Sequence, residues 1–230
     1  IAGNATGISV SVSTLDDEIF EGSEGFELDV SVAGTIGDSN DTLALSDSGS
    51  ATITDELGEG EEPDFEDKPT LTVSDAGTVT EGNDATFGVS LDHDVDGVLD
   101  YTFSLDVAGN HSAEMADFAN NASLTVTYTD DNGPQSMVIA NGASVSIAGN
   151  ATGIAVSVST LDDDIFEGSE GFELDVSVAG TIGDNNDTLA LNDSGSATIL
   201  DNDSPIISGP TSGTVTEDGD SDNDAQTVQQ

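Results

Sequence analysis

The chain has no cysteine, no tryptophan and one basic side chain, Lys68, against 47 Asp and Glu, which sets a formal charge of −46 over 230 residues. Each shortage excludes something. Without cysteine there are no disulfides and no thiolate metal sites. With one cation the chain cannot neutralise a run of phosphates, so nucleic acid is not an expected partner, and docking on an anionic membrane surface fails for the same reason. Two histidines and two tyrosines leave little for zinc or copper chemistry, or for a sugar-stacking platform. No apolar run approaches the ~18–20 residues of a membrane span, so no direct membrane insertion is expected, and nothing reads as a signal peptide.

High charge with few apolar residues would indicate disorder. Here 35% of residues are apolar, many of them β-branched. They alternate with polar residues in runs such as Ile154-Ala155-Val156-Ser157-Val158 and Phe172-Glu173-Leu174-Asp175-Val176. Period two marks half-buried strands. Strands are expected near 70–74, 77–80, 84–91, 97–107, 122–129, 135–139, 143–148, 152–160, 170–178 and 195–200. Turn signals separate them at Asp96-Gly97, Asp131-Asn132-Gly133, Asn141-Gly142 and Asp193-Ser194-Gly195. No segment carries a 3.6-residue apolar period. The expected fold class is all-β, an antiparallel two-sheet sandwich whose core is lean in aromatics.

Residues 1–54 recur at 147–200, an offset of 146, with 49 of 54 positions identical. A tandem repeat follows. Punctuation gives its phase. Residues 55–69 are acidic, Gly- and Pro-containing and non-periodic, and read as a linker. The expected organisation is the C-terminal half of one repeat over 1–54, the linker 55–69, a complete repeat over 70–203, and a linker with the start of the next repeat over 204–230.

The acids are clustered. Residues 143–161 contain none, whereas Asp162, Asp163, Asp164, Glu167 and Glu170 follow within a few positions. Packed carboxylates repel unless protonated or bridged by cations. With Lys68 alone available, the cation must come from solution, and oxygen donors of this kind suit Ca²⁺. The aspartates end one strand, Glu167 lies across a short turn, and Ile165 and Phe166 are expected to anchor that turn in the core. The twin segment is Asp16-Asp17-Glu18-Ile19-Phe20-Glu21.

At these residues the chain resembles the Calx-β domains of sodium–calcium exchangers and integrins, and their relatives in bacterial repeats-in-toxin adhesins. Four motifs fall in family order over 77–203: Val79-Thr80-Glu81-Gly82, Asp117-Phe118, the segment Asp162 to Phe172, and Ile199-Leu200-Asp201-Asn202-Asp203. The resemblance implies an immunoglobulin-like sandwich with Ca²⁺ at one end. It implies ligands at Glu81, Asp117, Asp162, Asp163, Glu167, Asp201 and Asp203, with Asp164 as a further candidate and Asp16, Asp17 and Glu21 as the first copy's equivalents. Two departures stand out. Leu124 to Ala148 looks like an added hairpin that could displace Asp117, and the first copy ends Asp55-Glu56 in place of Asp-Asn-Asp.

Other motifs carry less. Asp92-His93-Asp94-Val95-Asp96-Gly97 matches half of an EF-hand loop, but Phe103 stands where a bidentate Glu belongs, so it reads as a strand-connecting turn. The segment 183–187 reads as a polar loop, and the alternating acids Asp218 to Asp224 read as a disordered stretch at the start of the next repeat, not as a metal site. His93 and His111 read as turn residues, and no catalytic arrangement is expected. The leading expectation is a non-enzymatic, monomeric extender repeat of a secreted bacterial surface adhesin. Ca²⁺ would stiffen sandwich tips and junctions, the neighbouring repeats would be its partners, and any host receptor would be bound elsewhere in the full-length protein. A second reading is a ligand-binding adhesion module that uses exposed loops such as 92–97 for carbohydrate or protein. A third is a surface enzyme lying outside this segment, and a fourth is acidity as plain salt adaptation.

Overall fold

The computed structural model describes residues 6–15, 17–38, 40–54, 68–182 and 187–205. Among these residues fourteen strands appear in this order: β1 (Ile19–Phe20), β2 (Ser23–Ile36), β3 (Asp41–Thr54), β4 (Leu71–Val73), β5 (Gly77–Thr80), β6 (Asp84–Leu91), β7 (Asp94–Val95), β8 (Val98–Asp106), β9 (Leu124–Asp130), β10 (Gly133–Ile139), β11 (Ser144–Ala148), β12 (Thr152–Ser159), β13 (Ser169–Ile182) and β14 (Asp187–Leu200). Two sheets of five strands face each other, in the orders β10-β9-β12-β6-β4 and β11-β8-β13-β14-β5. The described residues from Leu71 to Leu200, the span expected to be a complete repeat, therefore adopt an all-β, immunoglobulin-like sandwich. Alternation builds it: β12 buries Ile154, Val156 and Val158, and β13 buries Phe172, Leu174, Val176 and Val178. These inward residues meet Phe87, Leu99, Phe103, Leu124 and Val126 from the other strands in one core.

The chain enters one sheet and crosses to the other within a few residues. β4 pairs antiparallel with β6, Leu71 opposite Leu91, while β5 pairs parallel with β14, Thr80 opposite Leu200. The crossover Ser74–Ala76 is held from both sides. Gly88 N–H donates to Ser74 Oγ at 2.9 Å, and Asp75 Oδ1 accepts from Ser196 N–H at 2.8 Å. Beneath it runs Asp193-Ser194-Gly195, which sequence punctuation marks as a turn. The structure corrects that reading, because β14 continues straight through. Asp193 Oδ2 accepts Val73 N–H at 2.7 Å, and a Cβ on Gly195 would lie 2.7 Å from the Ser74 carbonyl oxygen. The glycine makes room for the crossing backbone, and the aspartate binds it.

This topology separates the ends of the repeat. Leu71 lies at the pole shared by Leu91, Ile182 and Thr152, whereas Leu200 lies at the opposite pole with Glu81, Ser159 and Ser169. The hairpin β9–β10 adds to the edge of one sheet with its turn at the Leu71 pole, away from the acid-rich end. The first copy, β2 and β3, forms a two-stranded antiparallel ribbon of the same register as β13 and β14. Ahead of it, β1 pairs in parallel with β7.

Candidate metal centre

Three local arrangements assemble the acids at the Leu200 pole. The first is the parallel exit of β5 beside β14. Glu81 N–H donates to the Leu200 carbonyl at 3.0 Å, and Glu81 Oε1 accepts Asn202 N–H at 3.0 Å. The closing strand is thus folded over a glutamate that is only 8% exposed. The second arrangement is aromatic. Phe118 forms a bridge with Thr160 and packs its ring edge-on against Phe172 at 4.9 Å. Asp117 precedes one ring and Glu170 lies two residues before the other, so one buried contact positions acids from two distant segments. The third is the loop after β12. Asp163 Oδ1 accepts Ile165 N–H at 2.7 Å, and Asp201 Oδ2 accepts the N–H groups of Glu167 and Gly168 at 2.5 and 2.7 Å.

Two groups of carboxylates result. Oxygens of Glu81, Asp201 and Asp203 lie within 4.8 Å of one another, and so do those of Asp117, Glu167 and Glu170. One narrow cleft joins them, lined by Glu81, Asp117, Asp163, Glu167, Glu170 and Asp201. The proton affinities register the crowding. Burial, then the charge of Glu81, Asp164, Asp201 and Asp162, pushes Asp203 up. Burial, then Asp117, Asp163, Glu81 and Asp201, pushes Glu167 up. Burial, then a shared hydrogen bond with Asp117 and its charge, raises Glu170 from 4.5 to about 7. Asp201 moves the other way, chiefly because the Gly168 N–H points at it.

Most residues singled out in the sequence meet here. Glu81, Asp201 and Asp203 form one group, Asp117 and Glu167 belong to the other, and Asp163 lines the cleft. Asp162 Oδ1 accepts Asn202 Nδ2–H at 2.9 Å, and Asp162 and Asp164 act on Asp203 through their charge. The added hairpin does not displace Asp117, whose carbonyl accepts Leu161 N–H at 2.7 Å. Glu170 is absent from the ligand set that the resemblance implies, yet the structure places it in the second group. Its signal is the spacing Glu170-x-Phe172, which puts both residues on the same side of β13.

One expectation does not hold as stated. Ile165 and Phe166 do not anchor their turn in the core: they are 59% and 57% exposed. Asp17 and Glu21 join neither acidic group among the described residues; Asp17 Oδ1 instead accepts Ile19 N–H at 3.1 Å. The loop Asp92–Gly97 holds no metal-type cluster among the described residues, and its Asp94 and Val95 pair with β1. Asp16, Gly183–Asn186 and Asp218–Asp224 lie outside the described residues.

The donor set fits a hard divalent cation. Every donor is a carboxylate oxygen, and Asp203 Oδ2 is buried with no hydrogen-bond partner among the described residues. A buried acceptor without a donor is costly, more so when charged. A cation between Glu81, Asp201 and Asp203 would satisfy that oxygen and offset the repulsion; Ca²⁺ accepts such ligands in flexible number.

A sandwich with two groups of carboxylates at one pole defines the class, a β-sandwich module with an acid-lined end. Comparison with known families places the chain within it: the Calx-beta domain model matches residues 2–57 and 143–204, just over half of the chain. The chain belongs to the Calx-beta domain family. A search of curated proteins finds no match. Among solved structures, the crystal structure of the apo-form Calx CBD1 domain matches at 14% identity and a TM-score of 0.30, covering 58% of this chain and 99% of that one.

Proposed function

We propose that this chain is a calcium-stabilised structural repeat that spaces the parts of a large, secreted bacterial surface adhesin of the repeats-in-toxin kind. Glu81, Asp201 and Asp203 would hold one ion, and Asp117, Glu167 and Glu170 a second, with Asp163 beside the cleft that joins them. The ions supply positive charge where the polypeptide has none. Bound there, they tie the exit of β14 to Glu81 and to the loop after β12, so the chain leaves each repeat in a fixed direction. The observation that carries this reading is the unpartnered, buried Asp203 Oδ2 amid carboxylates. Support for the spacer role comes from two near-identical copies in 230 residues and from the opposite placement of the Leu71 and Leu200 ends. Extracellular Ca²⁺ near millimolar matches modular sites of roughly 10⁻⁴–10⁻³ M. At that ratio each ion adds about 0.4–1.4 kcal/mol of stability.

The test is thermal unfolding of the full chain in millimolar Ca²⁺, and in EDTA at equal ionic strength. The expected outcome is a rise of a few degrees with Ca²⁺. Asp203→Asn should abolish most of that rise while leaving the metal-free midpoint unchanged or higher. Identical midpoints with and without Ca²⁺ would leave the acidity as salt adaptation.

A further inference from the structure

The same loop occurs twice in this chain in two states. In both copies an aspartate accepts the N–H two residues on, Asp17 to Ile19 at 3.1 Å and Asp163 to Ile165 at 2.7 Å. In both, a glycine with positive φ follows, Gly22 at 72° and Gly168 at 88°. Yet Phe20 is 5% exposed and belongs to the core of the complete repeat, whereas Phe166 is 57% exposed. The difference is a seat. Ile19 and Phe20 pair in parallel with Asp94 and Val95 at the Leu71 pole of the complete repeat. The Phe20 carbonyl accepts Asp96 N–H at 3.1 Å, and Ser23 N–H donates to Asp187 Oδ2 at 2.8 Å. The seat itself is braced. Gly149 carries the loop through a Val95-to-Gly149 hydrogen bond and its own bond to Gly97, with no room for a Cβ beside the Val95 carbonyl. Gly22 fits for a related reason, since a Cβ there would lie 3.0 Å from Asp187 Oδ2.

We propose that the exposed Ile165–Phe166 tip is the docking strand of the complete repeat, and that its partner is the Asp94–Val95 pole of a second copy of that repeat following it in the chain. The occupant is fixed by what this chain already shows, because the tip's twin, identical from Ile19 to Ile36, sits on that pole. Polarity agrees: tips lie at the Leu200 pole, where the chain leaves a repeat, and seats at the Leu71 pole, where it enters the next. Half of the seat is also duplicated, since Ile36 and Asp41 of the first copy correspond to Ile182 and Asp187. Successive repeats then join by a buried phenylalanine and a two-residue β-addition as well as by their linker. This rests on the paired strands and stands apart from the calcium reading.

Cross-linking tests it, and the lack of native cysteine gives a clean background. A second copy of residues 55–200 is inserted after Leu200 of the full chain, which repeats the junction that follows Thr54. Thiols are introduced by Ile165→Cys in the first complete repeat and Asp94→Cys in the second. A disulfide needs Cα atoms within about 7 Å. The expected result is oxidation at least tenfold faster than with the second thiol at Asp130→Cys, falling to that control rate when Phe166→Asp is added. The undoubled chain with Ile19→Cys and Asp94→Cys should cross-link as fast as the doubled one. Phe166 is exposed, so the Phe166→Asp chain should melt like the parent in the undoubled form. Oxidation no faster than the control, or insensitive to Phe166→Asp, overturns the proposal, and so does failure of the Ile19 pair to cross-link.

Discussion

Glu170 faces the same side of β13 as Phe172, one step beyond the end of the apolar core, and there it meets Asp117. Its affinity for a proton follows from that position. In the folded chain it is raised from 4.5 to about 7 by burial and by Asp117. Between those two values the folded state binds more protons than the unfolded one. Stability therefore falls as pH rises through that window, and the full penalty is present above pH ~7. Asp203 and Glu167 are pushed in the same direction, while Asp201 is held low and loses its contribution only in stronger acid. The metal-free chain should thus melt at a higher temperature at pH 5 than at pH 8. Glu170→Gln should flatten much of that slope, and Ca²⁺, which binds the ionised form, should reverse it. Melting curves at the two pH values, with and without EDTA, check this; equal slopes for Glu170→Gln and parent would remove Glu170 from the cause.

At the scale of elements, β2 and β13 have the same fourteen-residue sequence, Ser-Glu-Gly-Phe-Glu-Leu-Asp-Val-Ser-Val-Ala-Gly-Thr-Ile, and opposite fates. In β13, Leu174 and Val176 are buried to 0% and 1%; in β2, Leu28 and Val30 are 37% and 41% exposed. The alternation of apolar residues writes the strand and the face it offers, but burial comes from the opposing sheet. A paired substitution exposes the difference. Gly195→Ala drives a Cβ to 2.7 Å from the Ser74 carbonyl and 3.0 Å from Val73, whereas Gly49→Ala, its twin, meets nothing within 4 Å. Overpacking of this kind costs about 1–3 kcal/mol. Denaturant unfolding should show that loss for Gly195→Ala, and a change within about 0.5 kcal/mol for Gly49→Ala; equal effects would mean that the crossover does not press on β14. The same contact explains where sequence reading stopped. Strands β5, β6 and β12 were legible to within a residue, because their periodicity is uninterrupted. β14 was cut short, since Asp193-Ser194-Gly195 has turn chemistry and its partner, the crossover at Ser74, lies over a hundred residues away. The acidic pole was legible through the gap between acid-free β12 and the acids after it. The exposure of Phe166 was not, because an Ile-Phe pair beside a turn looks the same whether it enters its own core or a neighbour's.

For the whole molecule, charge outruns any set of bound ions. Two acidic groups, each taking one Ca²⁺, would remove four of the 46 net negative charges. Part of the remainder lies at exposed strand positions such as Asp29, Asp47 and Asp100, at separations that solution ions screen. The Debye length is about 8 Å at 0.15 M and about 3 Å at 1 M. Two responses should therefore separate. Added NaCl should raise the metal-free melting temperature steadily from low salt towards 1 M, by screening repulsion between distant acids. The increment from Ca²⁺ should shrink over the same range yet persist, because oxygens within 4.8 Å of each other demand a shared ion, and a diffuse atmosphere cannot replace it. Melting curves across NaCl concentration, with saturating Ca²⁺ and with EDTA, measure both terms at once. If the two curves converge before 1 M NaCl, calcium acts on this protein as one more screening ion. If they run separately, the acids act in two ways in different places: those at the pole share a bound ion, and those on the faces set the repulsion that salt screens.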